Sequence, residues 1–593
     1  MRNAETVLGV IQERGKRGLP LEDVYRQLYN QDLFLRAYAR LYSNQGAMTP
    51  GSTGETVDDM SLRKIDRIID DLRHERYRWT PARRVYIPKK KGTGLRPLGL
   101  PSWSDKLVQE VMRLLLEAYY EPQFSSNSHG FRPNRGCHTA LRTVDTTWTG
   151  TKWFVEGDIK GCFDNIDHQV LLSILSERIH DNRFLRLTRH MLQAGYLEQW
   201  RYGATLSGTP QGGVISPLLS NIFLDQLDRF VADELLPAYN QGTERRINPS
   251  YNAAKSLARY YRNKGNDQRK ATALRKQMQK LPRNDPHDPG YRRLRYVRYA
   301  DDFLLGFAGP ESEAQDIKQR LGAFLRDHLK LELSAEKTLV THAESHSASF
   351  LGYDIGVMWE NTKHGSRGQR NVNGRIALKV PPTVIEDKCQ PFLKNGYPTH
   401  RSGLINEDDF SILVRYQSEY RGVVQYYRLA QNLHSFGKLN WTMRGSLLKT
   451  LAGKHKSSMM VMQRKLKATV EGPHGPLACL QVVVKRDGKA PLVARYGGIS
   501  LTRDPWAEIN DQPPSVIRVQ ERNEIVKRLL ADRCEMCGSR EDVEVHHIRA
   551  LKNLRLPGKA EPPPWVRRMA ARRRKTLVVC RVCHDVIHGR GTT

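Results

Sequence analysis

The hydrophobic and polar positions between residues 295 and 307 form two apolar, aromatic-rich runs on either side of one pair of acids. Each run has the composition of a β-strand, and only Asp301 and Asp302 stand between them. Two such runs with a two-residue separation predict a β-hairpin that carries both carboxylates at its tip. Neighbouring carboxylates repel each other and are costly to desolvate, so they are poor structural elements but good ligands for a hard cation.

A second acid of this kind is Asp158, which follows the apolar run 153–155 and precedes a segment with a helical pattern. Three carboxylates at strand ends can converge on paired Mg²⁺ ions, as in a site for nucleotidyl transfer. Because adjacent aspartates are common in proteins, the surrounding sequence has to decide whether this pair is catalytic.

Helical spacing of apolar residues recurs over 21–41 and over 61–73. Ser102 and Asp105 resemble a capping box, which predicts that a further helix begins there. The apolar positions of that helix predict one inward-facing stripe, formed by Leu107, Val111, Leu114 and Ala118.

From about residue 150 to 375, short apolar strands alternate with helices, which predicts an α+β unit. After residue 375 the pattern is helical, and 480–501 is again rich in strand-forming residues. A polar segment at about 238–293 contains many Lys and Arg residues. It is either a solvated insertion with one or two surface helices or a basic platform for RNA, and the sequence leaves both open.

The net charge indicates which class of molecule the protein binds. Among 593 residues there are 95 Lys and Arg against 63 Asp and Glu, a formal charge of +32. So large an excess predicts binding to nucleic acid, and the length predicts roughly three to four domains. No apolar stretch approaches the roughly 20 residues of a membrane-spanning helix, so no membrane partner is expected.

The ends of the chain and its cysteines predict a cytosolic location. The first residues have no apolar core, so no secretory signal is expected, and early acids argue against a transit peptide: Glu5, Glu13 and Glu22. Cysteines outside the C-terminal region are scattered, which indicates reduced, partly buried thiols: Cys137, Cys162, Cys389 and Cys479.

Short motifs in a fixed order carry a family resemblance. They lie at 86–90, 96–101, 130–133, 158–164, 209–213, 299–302, 337–338 and 350–353. The Tyr-Ala-Asp-Asp sequence at 299–302 resembles the metal-binding box of reverse transcriptases. The wording of the whole series is similar to that of proteins encoded in bacterial and organellar group II introns, from about residue 44 to the C-terminus.

The resemblance implies a right-hand polymerase with an α+β palm and a helical thumb, followed by a small zinc-stabilised ββα-metal domain of the HNH type. The domains expected from it are fingers and palm at 1–375, thumb or maturase domain X at 376–470, a DNA-binding region at 471–525, and an HNH endonuclease at 526–593.

For the polymerase, the resemblance implies that Asp158 and Asp301 hold two Mg²⁺ ions and that Asp302 supports them. Phe163 would exclude a 2′-hydroxyl and so select deoxynucleotides, although an ordinary core phenylalanine is the alternative. The remaining expected nucleotide contacts are Lys89 or Lys90, Arg96, Gln211 and Lys337, the last of which would serve the leaving pyrophosphate.

Near the C-terminus, two Cys-x-x-Cys pairs predict a tetrahedral structural Zn²⁺ bound by Cys534, Cys537, Cys580 and Cys583. The HNH resemblance implies that His547 is the general base that activates water, a role that suits a histidine near neutral pH.

Three further histidines are candidates to hold a catalytic Mg²⁺ or Mn²⁺: His546, His584 and His588. Where many HNH domains have asparagine, this chain has Lys575, and Asn553 is a weak substitute. The alternative is a domain that only binds DNA.

The thumb is expected to bind intron RNA through Arg421, Arg428, Lys454 and Lys456. The function implied is that of a group II intron protein that forms a ribonucleoprotein with its intron RNA and assists splicing. It would nick target DNA and use dNTPs for target-primed reverse transcription in the bacterial cytoplasm, at the nucleoid when it acts on DNA. The alternatives are a maturase with an idle polymerase or nuclease, and a defence-associated or retron reverse transcriptase.

Overall fold

The computed structural model describes residues 3–44, 46–88, 94–198, 201–203, 205, 207–208, 212–360, 362–363, 365–366, 372–473, 475–509, 524–554 and 562–590. The predicted nucleotide contacts Lys89, Lys90 and Gln211, and the side chain of Asn553, lie outside the described residues. No helix in the described ranges combines the length and the apolar character needed to cross a bilayer.

The fingers region consists of helices around a central helix, together with a strand pair. Its elements are α1 (Ala4–Lys16), α2 (Gln31–Leu41), α3 (Leu62–Arg73), β1 (Ala82–Pro88), β2 (Leu95–Leu100) and α4 (Trp103–Tyr120). Ser102 caps α4 as predicted, because its hydroxyl accepts the Asp105 N–H at 3.2 Å. The single inward stripe predicted for α4 was too narrow, since nearly every residue of this helix is buried. Helix α1, which the sequence pattern had not indicated, packs against α4.

The palm follows, with helices on a mixed sheet. Its elements are β3 (Ser128–His129), α5 (Cys137–Thr147), β4 (Trp153–Asp158), α6 (Cys162–Asn165), α7 (His168–Ser176), α8 (Asn182–Leu192), β5 (Tyr196–Glu198), β6 (Arg201–Gly203), α9 (Ser216–Phe230), α10 (Leu236–Tyr239), α11 (Pro249–Asn263), α12 (Gln268–Lys280), β7 (Arg293–Tyr299), β8 (Asp302–Ala308), α13 (Glu311–Leu329) and β9 (Val340–His342). The palm sheet has the strand order β3-β7-β8-β4-β9, and β5 and β6 extend the finger strands in the order β2-β1-β5-β6.

The basic insertion forms two helices, α11 and α12, that pack against each other. Each buries one residue, Ala254 on α11 and Ala271 on α12. The prediction of one or two surface helices is therefore confirmed. Their exposed faces carry most of the charge of the insertion.

The thumb region combines helices with three small sheets. Its elements are β10 (Ala348–Phe350), β11 (Tyr353–Val357), β12 (Ile376–Lys379), α14 (Pro382–Cys389), β13 (Leu393–Lys394), β14 (Tyr397–Pro398), α15 (Asp409–Tyr426), α16 (Gly437–Lys454), α17 (Met459–Leu466), β15 (Lys467–Gly472), β16 (Gly475–Arg486) and β17 (Lys489–Gly497). The expected domain boundary at residue 470 lies inside β15. The sheet β15-β16-β17 packs on α15, where the Gln417 amide donates to the Gly497 carbonyl at 3.1 Å and accepts the Gly497 N–H at 2.9 Å.

The C-terminal region contains α18 (Glu524–Leu530), β18 (Val543–His547), α19 (Pro564–Arg572), β19 (Thr576–Cys580) and α20 (Arg581–Ile587). Strands β18 and β19 pair antiparallel, with His547 opposite Thr576, and α20 follows at once. This is the predicted ββα arrangement. Ile525, Leu529 and Val545 belong to the same apolar core as the fingers helices, so the C-terminal region is packed against the start of the chain.

Candidate active sites

The acidic hairpin lies at the centre of the palm sheet. Strands β7 and β8 pair antiparallel with Tyr299 opposite Asp302, which confirms the predicted hairpin. Its tip is formed by Ala300 and Asp301, however, and Asp302 is the first residue of β8 rather than a tip residue as predicted. Ala300 adopts a left-handed backbone conformation, with φ 55°, and the turn it makes leads into Asp301. The last residue of β4, Asp158, is the register partner of Asp302. The sheet therefore brings the three predicted carboxylates together.

The electrostatics of these acids indicate a cation site. Burial raises the pKa of Asp302 to about 7, and the charges of Asp301 and Asp158 contribute to the rise. Burial also raises the pKa of Asp301, and Asp158 adds to it while Arg96 and Lys337 oppose it. Desolvated carboxylates that lie close together are stabilised by divalent cations, so this donor set fits metal ions.

Two of the residues predicted to contact the nucleotide, Lys337 and Arg96, lie close to the acids. Lys337 places its Nζ 3.0 Å from the Asp158 carboxylate, and this hydrogen bond raises the pKa of Lys337. The lysine side chain remains 66% exposed. Arg96 is an exposed residue of β2, close enough to Asp301 to affect its pKa.

Phe163 is the second residue of α6, which begins directly after the tight turn at Gly161, where φ is 56°. Its ring meets that of Phe131 edge to face, with centroids 6.5 Å apart. Phe163 is only half-buried, whereas its neighbour Cys162 is fully buried. The position of Phe163 is thus not that of an ordinary core residue, and its ring is accessible from the palm surface.

A buried ion pair behind the hairpin was not anticipated from the sequence. Arg298 and Asp228 are both 0% exposed and approach to 2.6 Å. Arg298 also donates to the Ala300 carbonyl at 2.8 Å and to the Ser128 hydroxyl at 2.8 Å. Burial by itself would lower the pKa of Arg298, but the charge of Asp228 holds it above its usual value. Arg298 is one of three arginines in β7, and nothing in the sequence indicates that this one is fully buried.

The four cysteines of the C-terminal region come together as predicted. Their sulfur atoms all lie within 4.8 Å of one another. The Cys534 sulfur accepts the N–H groups of Met536 and Cys537 at 3.4 Å. Although burial raises the pKa of Cys534, these backbone N–H groups and that of Cys580 lower it to about 6. Four thiols with one already favouring the thiolate fit a tetrahedral zinc ion.

The three histidines predicted to bind a divalent ion also converge. The Nε2 atom of His584 lies 3.0 Å from Nδ1 of His546 and 3.1 Å from Nε2 of His588. Ligand atoms about 2.1 Å from a common ion are separated by about 3 Å, so this spacing fits a metal site. A fourth group, Asp58, lies in the same cluster, and sequence reasoning missed it because it precedes α3 in the fingers region.

His547, the predicted general base, follows His546 on β18, and its side chain lies on the opposite face of that strand. Its Nε2 lies 3.2 Å from the hydroxyl of Tyr38, which belongs to α2. Burial lowers the pKa of His547 to about 4, so the imidazole is neutral near pH 7. In this buried position His547 is a weaker base than the histidine near neutral pH that the sequence predicts.

Lys575, at the usual asparagine position, fixes the adjoining loop through its main chain. The Lys575 carbonyl accepts the Ile548 N–H at 3.0 Å. Its side chain lines a cavity of about 730 Å³ together with His547 and Arg549. This cavity is positively charged where it borders the predicted base.

The four thumb residues predicted to bind RNA fall into two groups, which differ in exposure and in their contacts within the thumb. Arg421 and Lys456 are exposed. Arg428 instead donates to the Ser500 carbonyl at 2.6 Å, and Lys454 pairs with Asp409 at 2.7 Å. The charge of Lys454 is thus already paired within the thumb, whereas Arg428 hydrogen-bonds a neutral carbonyl and keeps its charge.

Comparison with known proteins agrees with this arrangement. Residues 87–355 match the family "Reverse transcriptase (RNA-dependent DNA polymerase)", residues 377–474 match "Type II intron maturase", and residues 534–584 match "AI2M/AI1M-like, HNH endonuclease". The maturase and HNH matches favour an intron protein over a defence-associated or retron enzyme.

The similarity to individual proteins extends over nearly the whole chain. The "Group II intron-encoded protein LtrA" of Lactococcus lactis subsp. cremoris is 39% identical over 588 residues, which cover 95% of each chain. A 91 kDa protein in the cob intron of Schizosaccharomyces pombe is 34% identical, over 100% of this chain and 73% of its own. Protein YkfC of Escherichia coli is 35% identical, over 62% of this chain and 88% of its own. The chain therefore belongs to the group II intron-encoded proteins and combines a reverse transcriptase, an intron maturase and an HNH endonuclease domain.

Proposed function

We propose that Asp158, Asp301 and Asp302 form the polymerase centre of this reverse transcriptase and hold two Mg²⁺ ions. The observation that carries the proposal is the pairing of Asp158 with Asp302 across β4 and β8, with Asp301 at the adjoining turn. Two Mg²⁺ ions bound there would activate the primer 3′-hydroxyl and stabilise the departing pyrophosphate.

The surrounding side chains bind and select the nucleotide. Arg96 presents a planar guanidinium to the triphosphate, for which its fork of donors is well suited. The half-exposed ring of Phe163 lies beneath the sugar and excludes a 2′-hydroxyl. Lys337 leaves Asp158 to neutralise the pyrophosphate, and its 66% exposed side chain has the freedom to do so.

The proposed partners are the intron RNA and the target DNA. A net charge of +32 and the exposed α11 and α12 helices support binding to a long polyanion. In the thumb, Arg421 and Lys456 are the exposed members of the predicted RNA contacts. The protein would form a ribonucleoprotein that assists splicing, and a nicked DNA end would then prime synthesis on the intron RNA.

Nicking of the second DNA strand is assigned to the HNH domain. His547 accepts a proton from the attacking water, and Arg549 and Lys575 attract the DNA phosphates into the adjoining cavity. His546, His584 and His588 hold an Mg²⁺ or Mn²⁺ ion, while the four-cysteine site holds a structural Zn²⁺. The alternative, a maturase with an idle polymerase, would gain nothing from three clustered, partly desolvated acids.

The decisive experiment compares the Asp301→Asn/Asp302→Asn variant with wild type in primer extension and in intron splicing. Extension should fall by more than about 10³-fold, since each lost metal contact removes several kcal/mol of transition-state stabilisation. Splicing should remain. The matched control is Asp327→Asn, which removes an exposed acid on α13 whose side chain is 58% exposed. Extension that survives the double substitution would refute the assignment.

A further inference from the structure

The HNH histidine cluster receives a carboxylate from the opposite end of the chain. Asp58 lies in the segment before α3, and its side chain is only 12% exposed. One of its oxygens is 3.0 Å from His588 Nε2. The other is 3.3 Å from His584 Nε2 and 3.5 Å from His546 Nδ1. Asp58 therefore touches all three histidines that form the proposed metal site.

A carboxylate in this place has the properties of a metal ligand. Three imidazole nitrogens that face one another cannot all be satisfied by mutual hydrogen bonds, because each nitrogen either donates or accepts. A divalent ion would satisfy all three, and an oxygen anion on the remaining side completes a favourable donor set.

A catalytic metal site needs an open position for its substrate. In a nuclease with three protein ligands, that position receives a phosphate oxygen of the DNA. Asp58 presents its anionic oxygens on this side of the histidines, and a carboxylate and a phosphate carry the same kind of donor atom. A phosphate and Asp58 therefore compete for the positions on this side of the ion.

The fingers region, which supplies Asp58, also covers His547, the proposed general base. The Tyr38 hydroxyl lies 3.2 Å from His547 Nε2, and the main-chain N–H of His547 donates to Asp58 at 2.8 Å. His547 is only 4% exposed. The two groups needed for hydrolysis, the ion site and the base, are thus both contacted by the fingers.

Further contacts hold the two regions together. The Val545 N–H donates to the Met60 carbonyl at 2.9 Å, which adds a bridge to the edge of β18. Arg63 forms an ion pair with Asp542 at the start of the same strand. The backbone pairing of Met60 with Val545 therefore helps to hold Asp58 beside the cluster, in addition to the contacts of the Asp58 side chain.

We propose that Asp58 is a fourth ligand of the HNH metal ion and occupies the position that a DNA phosphate must take, so that the fingers hold the endonuclease closed. The nuclease opens when DNA displaces Asp58. This inference rests on the proposed function of the three histidines as a divalent-metal site, and adds to it a ligand from another domain and a means of regulation.

The test measures Mn²⁺ binding by electron paramagnetic resonance, using the full-length chain with Asp301→Asn and Asp302→Asn to remove the polymerase metal site. Without DNA, adding Asp58→Asn should weaken Mn²⁺ binding at least about tenfold, because an anionic ligand is lost while the side-chain shape is kept. Asp66→Asn is the matched control, since Asp66 is an exposed acid on α3 that bonds only to Gln31 among the contacts described. Zinc content verifies folding, and Asp58→Ala provides a second variant.

Hydrogen–deuterium exchange and nicking test the closure. Mn²⁺ should slow exchange of the amides at 58–62 and 543–547, and a short DNA duplex should restore exchange at 58–62 as the phosphate replaces Asp58. At saturating Mn²⁺, Asp58→Asn in the otherwise wild-type chain should nick a duplex at least threefold faster. Slower nicking at saturating Mn²⁺ would make Asp58 a ligand required for cleavage and overturn the closure.

The outcomes separate this inference from the function on which it rests. If Mn²⁺ binds equally to the Asp58→Asn and control proteins but is lost in His584→Ala, the histidine site stands and Asp58 is not a ligand. If His584→Ala also leaves Mn²⁺ binding unchanged, the metal site itself is refuted.

Discussion

Replacing either member of the Arg298–Asp228 pair should destabilise the palm hairpin by about 3–5 kcal/mol, because each substitution leaves one uncompensated charge in a fully buried site. The double variant Arg298→Met/Asp228→Leu should cost less than either single one, since it removes both charges. Its remaining cost comes from buried polar groups that lose a partner, at about 1–3 kcal/mol for each group that stays unpaired. The groups concerned are the Ser128 hydroxyl, the Ala300 carbonyl, the Asn221 side-chain oxygen and the Tyr296 hydroxyl. The Arg298 single variant loses the first three partners as well and leaves Asp228 unpaired.

Native-state hydrogen exchange of the β7 and β8 amides gives the opening free energy of the hairpin for the two single variants and the double variant. Primer extension should show whether Arg298 supports activity only by stabilising the hairpin or also by positioning the turn before Asp301. The double variant should recover exchange protection but not polymerase activity, because Arg298 no longer holds the Ala300 carbonyl that precedes Asp301. Additive losses of stability in the double variant would refute the buried-charge argument. Recovery of extension together with stability would refute the positioning role.

Three further predictions concern selection, RNA binding and the two C-terminal metal sites. Phe163→Ala should raise the ratio of ribo- to deoxynucleotide incorporation about 10- to 100-fold, and an unchanged ratio would make Phe163 a packing residue. Neutralising Arg421 and Lys456 with Gln should reduce the slope of log affinity for intron RNA against log salt by about 1.5–2. Lys454→Gln should leave that slope nearly unchanged, because its ammonium group is already paired with the Asp409 carboxylate. His547→Ala should reduce duplex nicking by about 10²–10⁴-fold with zinc content intact. Cys534→Ala should instead lose zinc and unfold the local domain. Equal loss of zinc in both variants would show that His547 is structural.

Local chemistry made much of the site predictable from the sequence. The acidic hairpin follows from two strand-like runs around Asp301 and Asp302, and the position of Asp158 follows from a strand end. The paired cysteines define their own cluster, because a two-residue spacing is characteristic of zinc ligands. In each case the informative residues are neighbours in sequence or belong to a motif with fixed spacing.

Contacts between distant segments were not predictable in this way. Asp58 reads as an ordinary acid near a helix start, and only packing brings it to His547, 489 residues away in sequence. Arg428 and Lys454 illustrate the same limit, since a basic residue looks alike whether it faces RNA or a neighbouring carbonyl. The sheet β15-β16-β17 was expected to belong to a separate region because its own pattern does not reveal the surface of α15 on which it packs.

The packing of β18 against the fingers also has a consequence for biosynthesis. The fingers are made first, but their partner surface around Val545 emerges from the ribosome almost 500 residues later. With 489 residues separating Asp58 from His547, translation at about 5–20 residues per second leaves that face uncovered for about 25–100 s. During this interval the nascent chain exposes apolar side chains that the finished protein buries. The young fingers therefore keep this apolar face uncovered until the region around Val545 has been made.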